Sequence, residues 1–148
     1  MARELIVVAS VALVVACSRD KAGKPEAVGA PLASKAFYRI DAGARPACAS
    51  GTTCEVPLVL TALGDYHVNT AYPFKFVGDP EPAVQQAVQI DGTGSFALSD
   101  AQHGTLTVKL RPAAPGTAKL VGVFKLSVCS DDTCEIETPK IELAVPVS

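Results

Sequence analysis

The stretch that most restricts the fold of this chain is Phe124 to Glu137, FKLSVCSDDTCEIE: two apolar-alternating runs that meet across Cys129, a short acidic loop and Cys134. Phe124, Leu126 and Val128 fall on one face of an extended strand, and Val123, Lys125, Ser127 and Cys129 on the other. Asp131 and Asp132 supply the turn. Past a kink at Pro139 the alternation resumes in Ile141, Leu143 and Val145. The pattern predicts a β-hairpin whose turn a disulfide can close.

The same reading extends backwards to Ala36, through short apolar segments separated by turn residues and with no 3.6-residue period sustained beyond two turns. The segments are Phe37 to Asp41; Glu55 to Leu63; Tyr66 to Thr70 with Phe74 to Val77; Val84 to Ile90; Ser95 to Leu98; Thr105 to Arg111; Lys119 to Cys129; and Glu135 to Val147. They predict an all-β sandwich of about seven to eight antiparallel strands. Asp91-Gly92-Thr93-Gly94 reads as a turn between two strands. Gly78 to Pro82 and Pro112 to Gly116 read as breaks, since proline has no donor for a ladder. Ala83, Val84, Ala87 and Val88 share a helical face, yet Pro82 to Val88 is assigned to strand. At 148 residues the chain has room for one such domain. Thirteen Lys and Arg stand against fifteen Asp and Glu, and the basic residues are scattered. Nucleic acid is therefore excluded as a partner.

The first residues carry a different signal. Arg3 precedes Leu5 to Ala16, an apolar run with Ser10 its only polar member, too short to remain as a membrane span. Residues 1–16 are read as an export signal. The sequence Val14-Val15-Ala16-Cys17 resembles the bacterial lipobox, which implies that Cys17 is lipidated and becomes the new N-terminus. Ser18 in the next position looks like the version sorted to the outer membrane. Residues 17–35, rich in Ala, Gly, Pro, Lys and Ser, are expected to be a flexible tether that cannot bury enough surface to order itself. The expectation is a lipid-anchored protein of the cell envelope, on the outer membrane and facing the periplasm, with residues 36–148 as its folded domain.

Cys48, Cys54, Cys129 and Cys134 remain, and an even count in an exported chain reads as two disulfides. Local pairing, Cys48 with Cys54 and Cys129 with Cys134, is the simplest connectivity. Crossed pairing, as an inter-sheet bridge, is the alternative and would constrain the unfolded chain more than the about 2 kcal/mol of each small ring. Asp131, Asp132 and Glu135 disfavour a thiolate beside them, which suits an inert bridge. A short ring exposed at a hairpin tip is instead open to attack by a partner's thiolate. Both readings stand at this level.

Gly116 to Val147, with its Gly-x-x-x-Leu opening, long strand, Val128-Cys129, acidic loop, Cys134 and returning strand, resembles the end of the N-terminal periplasmic domain in the DsbD family of thiol:disulfide interchange proteins. Gly64-Asp65-Tyr66-His67-Val68-Asn69, ahead of Tyr72-Pro73, is similar to the aromatic-His-hydrophobic-Asn motif of that domain family and of related lipoproteins. Together these pieces cover under half of the mature chain. The loop between the cysteines is shorter than in DsbD, and Glu135-Ile136-Glu137 stands in place of an aromatic residue and prolines. The resemblance implies an immunoglobulin-like sandwich in which Cys129 and Cys134 form a redox pair. That pair exchanges disulfides with a periplasmic thioredoxin-like or other exchange protein. One cysteine accepts a mixed disulfide and the other resolves it, and Cys134→Ala is the expected trap. Cys48 and Cys54 have no counterpart there, which leaves them a structural role.

His67 and His103 are the only histidines. A copper site would need His, His and Cys converging with an axial ligand, but no His follows Cys129 and the one Met is the initiator. No metal and no cofactor are expected. His67 is expected to project from a strand and hydrogen-bond a neighbouring loop, with a part in assisting the redox pair as the sharper reading. His103 is read as a turn residue. No serine has a glycine elbow around it, and Gly92-Thr93-Gly94 has no helix after it to hold phosphate. Tyr66, Tyr72, Phe74 and Phe76 are assigned to core packing. The rival to disulfide exchange is a non-catalytic binding or scaffolding lipoprotein with purely structural bridges.

Overall fold

The computed structural model describes residues 29–148. The expected export signal, Cys17 and most of the tether lie outside the described residues. Along the described chain run β1 (Ala33–Lys35), β2 (Tyr38–Ala42), β3 (Cys54–Ala62), β4 (His67–Val68), β5 (Lys75–Gly78), α1 (Pro82–Ala87), β6 (Val88–Leu98), β7 (His103–Pro112), β8 (Gly116–Cys129), β9 (Cys134–Glu137) and β10 (Lys140–Val147).

Period-2 alternation sets the layers. In β3 the residues Val56, Leu58, Leu60 and Ala62 are buried and their neighbours are not; in β7 Leu106, Val108 and Leu110 repeat the pattern. These strands pair antiparallel in a sheet of order β1-β2-β3-β7-β6. In the second sheet β8 is central. Its first half pairs with β10 and its last four residues with β9, while β5 and β4 line its other edge. Reduced to columns, β2-β3-β7-β6 faces β9/β10-β8-β4/β5, the four-on-three arrangement of an immunoglobulin-like sandwich. Between the layers lie Ile40, Leu58, Leu60, Phe76, Leu106, Leu110, Leu120, Phe124, Leu126 and Ile141, all fully buried. Each contributes roughly 1.5–3 kcal/mol of burial.

The strands number ten rather than seven or eight because two columns are interrupted, one by residues 69–74 and one at Pro139, and because β1 is added. β1 falls inside the segment expected as tether: it pairs with β2, and Leu32 N donates to Ile40 O at 2.8 Å. Two local expectations are corrected. Residues 82–87 form a helical turn, not a strand. Pro80 and Pro82 forbid a ladder there, whereas Pro82 at the start of a helix loses no bond, and Gln85 N donates to Glu81 O at 3.0 Å. Asp91 to Gly94 is not a turn between two strands but an irregularity within β6, where the register against β7 shifts. Gly94, at φ +83°, passes so close to β7 that a Cβ would lie 3.0 Å from the Thr107 carbonyl oxygen.

Among the described residues no strand closes the side of the sandwich between β5 and β6, and aromatic packing does so. Phe74, ahead of β5, stacks on Phe96 of β6 with ring centroids 3.9 Å apart, and Phe96 lies directly over Gly104. Phe76 is in the core, while Tyr66 packs on Phe37 at 5.3 Å at one end of the molecule. The aromatic residues assigned to packing thus serve two separate contacts as well as the core. Gly104→Val should push the Phe96 ring off Phe74 and lower stability by about 2–3 kcal/mol in chemical denaturation. Adding Phe96→Ala to that variant should recover part of the loss, because the two positions touch.

Candidate functional site at the disulfide corner

β8 buries Ala118, Leu120, Phe124, Leu126 and Val128 against the facing sheet, so its odd-numbered residues point away from the core. Cys129 is the last of these. Directly opposite it on β9 is Cys134, and the two are joined in a disulfide with Cα atoms 3.9 Å apart. The loop between them is tied by its own backbone. Ser130 N donates to Thr133 O at 2.8 Å, and Ser130 Oγ accepts from Asp132 N and Thr133 N at 3.3 Å each. Asp131 and Asp132 are left pointing outward, exposed and without an ion-pair partner among the described residues.

On the other side of Cys129 lies His67, its register partner in β4. His67, Cys129 and Cys134 therefore form one row across three strands, with side chains on the same outward face. The short β4 is fixed there by its neighbours. Val68 is buried and its N–H donates to Ala101 O at 2.8 Å. Asn69 N donates to Ser127 O at 3.1 Å, and Asn69 Nδ2 donates to Ser127 Oγ at 3.2 Å. Ser127 is fully buried, and this bond spares its hydroxyl the cost of desolvation. The Tyr66-His67-Val68-Asn69 motif thus reads as one residue out, one in, and one anchor. The exposed His67 ring has no hydrogen-bond partner among the described residues, so the expected bond to a neighbouring loop is not formed.

The two sulfur-bearing residues are unequal. Cys129 is 7 % exposed, whereas Cys134 is exposed. The substitution expected from sequence as the trap, Cys134→Ala, falls on the more exposed residue of the two. Sequence reasoning also passed over Ile136, which shares the outward face with Cys134 and is 64 % exposed. Its position in the alternation, two residues beyond Cys134, carries that signal. Asp65 and Tyr66 line a cleft of about 560 Å³ together with Ser130, Asp131 and Asp132, directly beside the cysteine loop.

The other pair is also local, Cys48 with Cys54, so crossed pairing is excluded. Cys48 is 1 % exposed and forms a parallel bridge with Val147 of β10. Ser148 N donates to Cys48 O and Ser50 N to Ser148 O, each at 2.9 Å, so this ring holds the end of β10 in place. His103 serves a turn. Its Nδ1 lies 2.8 Å from Asp100 Oδ1, and that bond, with the N–H of Gln102, holds the Asp100 carboxyl below its usual range. Among the described residues, no group of three or more His, Cys, Asp or Glu could hold a metal ion, and no helix is long and apolar enough to cross a membrane. Two disulfides suit an oxidising compartment. Cys48→Ala with Cys54→Ala should cost about 2 kcal/mol in denaturation and speed amide exchange at the end of β10. Comparison with protein-family models gives no match to this chain, and comparison with curated proteins gives none.

Proposed function

We propose that this chain is an exported lipoprotein, held to the outer membrane through Cys17 and facing the periplasm. Its domain, similar to the N-terminal domain of the DsbD family, exchanges disulfides through Cys129 and Cys134. The observation that carries this reading is the asymmetry of the bridge: one sulfur-bearing residue reachable at the corner of the sandwich, the other withdrawn beside it. Exposed disulfides are the ones open to exchange. The partner is a thioredoxin-like or other disulfide-exchange protein of the same compartment.

In the forward step a partner thiolate attacks Cys134 Sγ. A bond forms between the two sulfurs, the Cys129–Cys134 bond breaks, and its electron pair leaves on Cys129 Sγ as thiolate. The reverse step needs only that thiolate to attack the mixed disulfide at Cys134, so one geometry serves both directions of electron flow. His67 stands beside Cys129 in the same row, where an imidazole N–H can donate to the departing sulfur. The alternative, a scaffolding lipoprotein with an inert staple, is favoured by one feature. Asp131 and Asp132 flank the pair and raise the cost of a thiolate.

Two measurements decide. A reduction potential for the Cys129–Cys134 pair above about −300 mV supports exchange, and one well below it assigns the bridge to the inert class. Cys129→Ser, whose Cys134 is then a free thiol, should accumulate a mixed disulfide with a thioredoxin-like protein that keeps only its attacking cysteine and carries it as a mixed disulfide with a small thiol, the small thiolate leaving; the product is detected by mass, and Cys134→Ser should form far less of it. Separately, Cys17→Ala should move the protein from the membrane to the soluble fraction on cell fractionation. Retention on the membrane would remove the lipid anchor from this reading.

A further inference from the structure

We infer that the disulfide corner selects its thiol partners by charge: it takes a thiolate that carries a cationic group beside it and turns anionic thiols away. This rests on the exchange reading above and names the substrate class of that site.

The cleft beside the cysteine loop is rimmed by three carboxylates from two segments, Asp65 from the β3–β4 loop and Asp131 and Asp132 from the β8–β9 loop. All three are exposed, and none has an ion pair among the described residues. Tyr66, Leu63 and Ala36 form its walls, which suits the stem of a lysine or arginine side chain whose charge ends at the rim. Ser130 and Asp132, which line the cleft, are one and two residues from Cys129 and Cys134, so the cleft adjoins the loop that carries the bridge.

Positive charge nearby does not cancel this field. Lys35, the last residue of β1, is spent on Glu137 at 2.6 Å, an ion pair that raises the lysine's pKa and leaves no free charge for a ligand. Lys125 and its register partner Lys75 share the outward face with Cys129. They stand four residues along β8, about 13 Å away, which exceeds the screening length of about 8 Å at physiological salt. Asp131 and Asp132, in the four-residue loop that joins the two cysteines, are inside that length and the lysines outside it. His67 is the one remaining basic side chain in the row.

The test uses the full-length chain and three small thiols whose thiolates carry net charges of zero, minus one and minus two: cysteamine, 2-mercaptoethanol and mercaptoacetate. Opening of the Cys129–Cys134 bridge is followed by alkylation and peptide mapping. Each rate is divided by the rate of the same thiol on 2-hydroxyethyl disulfide, which removes intrinsic nucleophilicity. At about 10 mM salt the normalised rates should fall on the order of fivefold per added negative charge, and the spread should shrink below about twofold near 1 M salt. Asp65→Asn, Asp131→Asn and Asp132→Asn together should flatten the series at low salt. Equal normalised rates at low salt would overturn charge selection and leave exchange standing. A bridge that none of the three thiols opens would overturn both.

Discussion

Strand β8 is the constraint on which the rest depends. Its 14 residues are paired on one edge by β10 and then β9, and on the other by β5 and then β4. Because the side-chain period is two, a slip of one residue would turn Phe124, Leu126 and Val128 to solvent and bring Lys125, Ser127 and Cys129 into the core. The two phenylalanine and leucine positions alone would forfeit several kcal/mol of burial. The same register that fills the core therefore fixes the outward row of His67, Cys129 and Cys134. Position of the corner chemistry is a by-product of packing, and no separate device is needed to aim it.

Much of this was legible in the residues because alternation is a local signal with a global consequence. Phe124 to Cys129 shows its two faces in six residues, and Val56, Leu58 and Leu60 do the same for β3. What escaped depended on partners distant in sequence. Pro82 to Ala87 carries both a helical face and strand-like residues, and the pairing of β6 with β7 across the sheet starts only at Val88, which leaves the preceding residues to the helix. Asp91-Gly92-Thr93-Gly94 has the composition of a turn, yet Ser95 to Leu98 continues along β7 and makes the glycines a bulge. At the corner, the motif around His67 was readable as a motif. That it lands beside Cys129 follows from β4 pairing with β8 across some sixty residues of chain, which no local pattern encodes.

The two disulfides illustrate how similar rings acquire different chemistry from their surroundings. Both are local, with separations of 6 and 5 residues. Cys48 lies beneath the end of β10, and its carbonyl accepts from Ser148, so reduction there would loosen the sheet edge. Cys129 and Cys134 close a hairpin that is already held by four register pairs between β8 and β9. The pairs at Leu126, Ser127 and Val128 do not depend on that bridge for their hydrogen-bonding partners. Under the exchange reading, a bond that can break without unfolding its surroundings is the one suited to turnover, and this is a property of placement rather than of the sulfur atoms.

The acidic rim then has two effects on such a bond that act in the same direction. Carboxylates beside the loop raise the cost of an approaching anion, and they also make Cys129 a poorer leaving group by destabilising its thiolate. Both effects slow attack by bulk anionic thiols. A cationic side chain seated between Asp65 and Asp131 would relieve both at once, since it neutralises the field that repels the nucleophile and the field that holds back the departing sulfur. Under the exchange reading, the feature that argues against a reactive thiolate in isolation becomes the means by which a matched partner is told from the background. The inert-staple reading has no such use for unpaired carboxylates at an exposed corner.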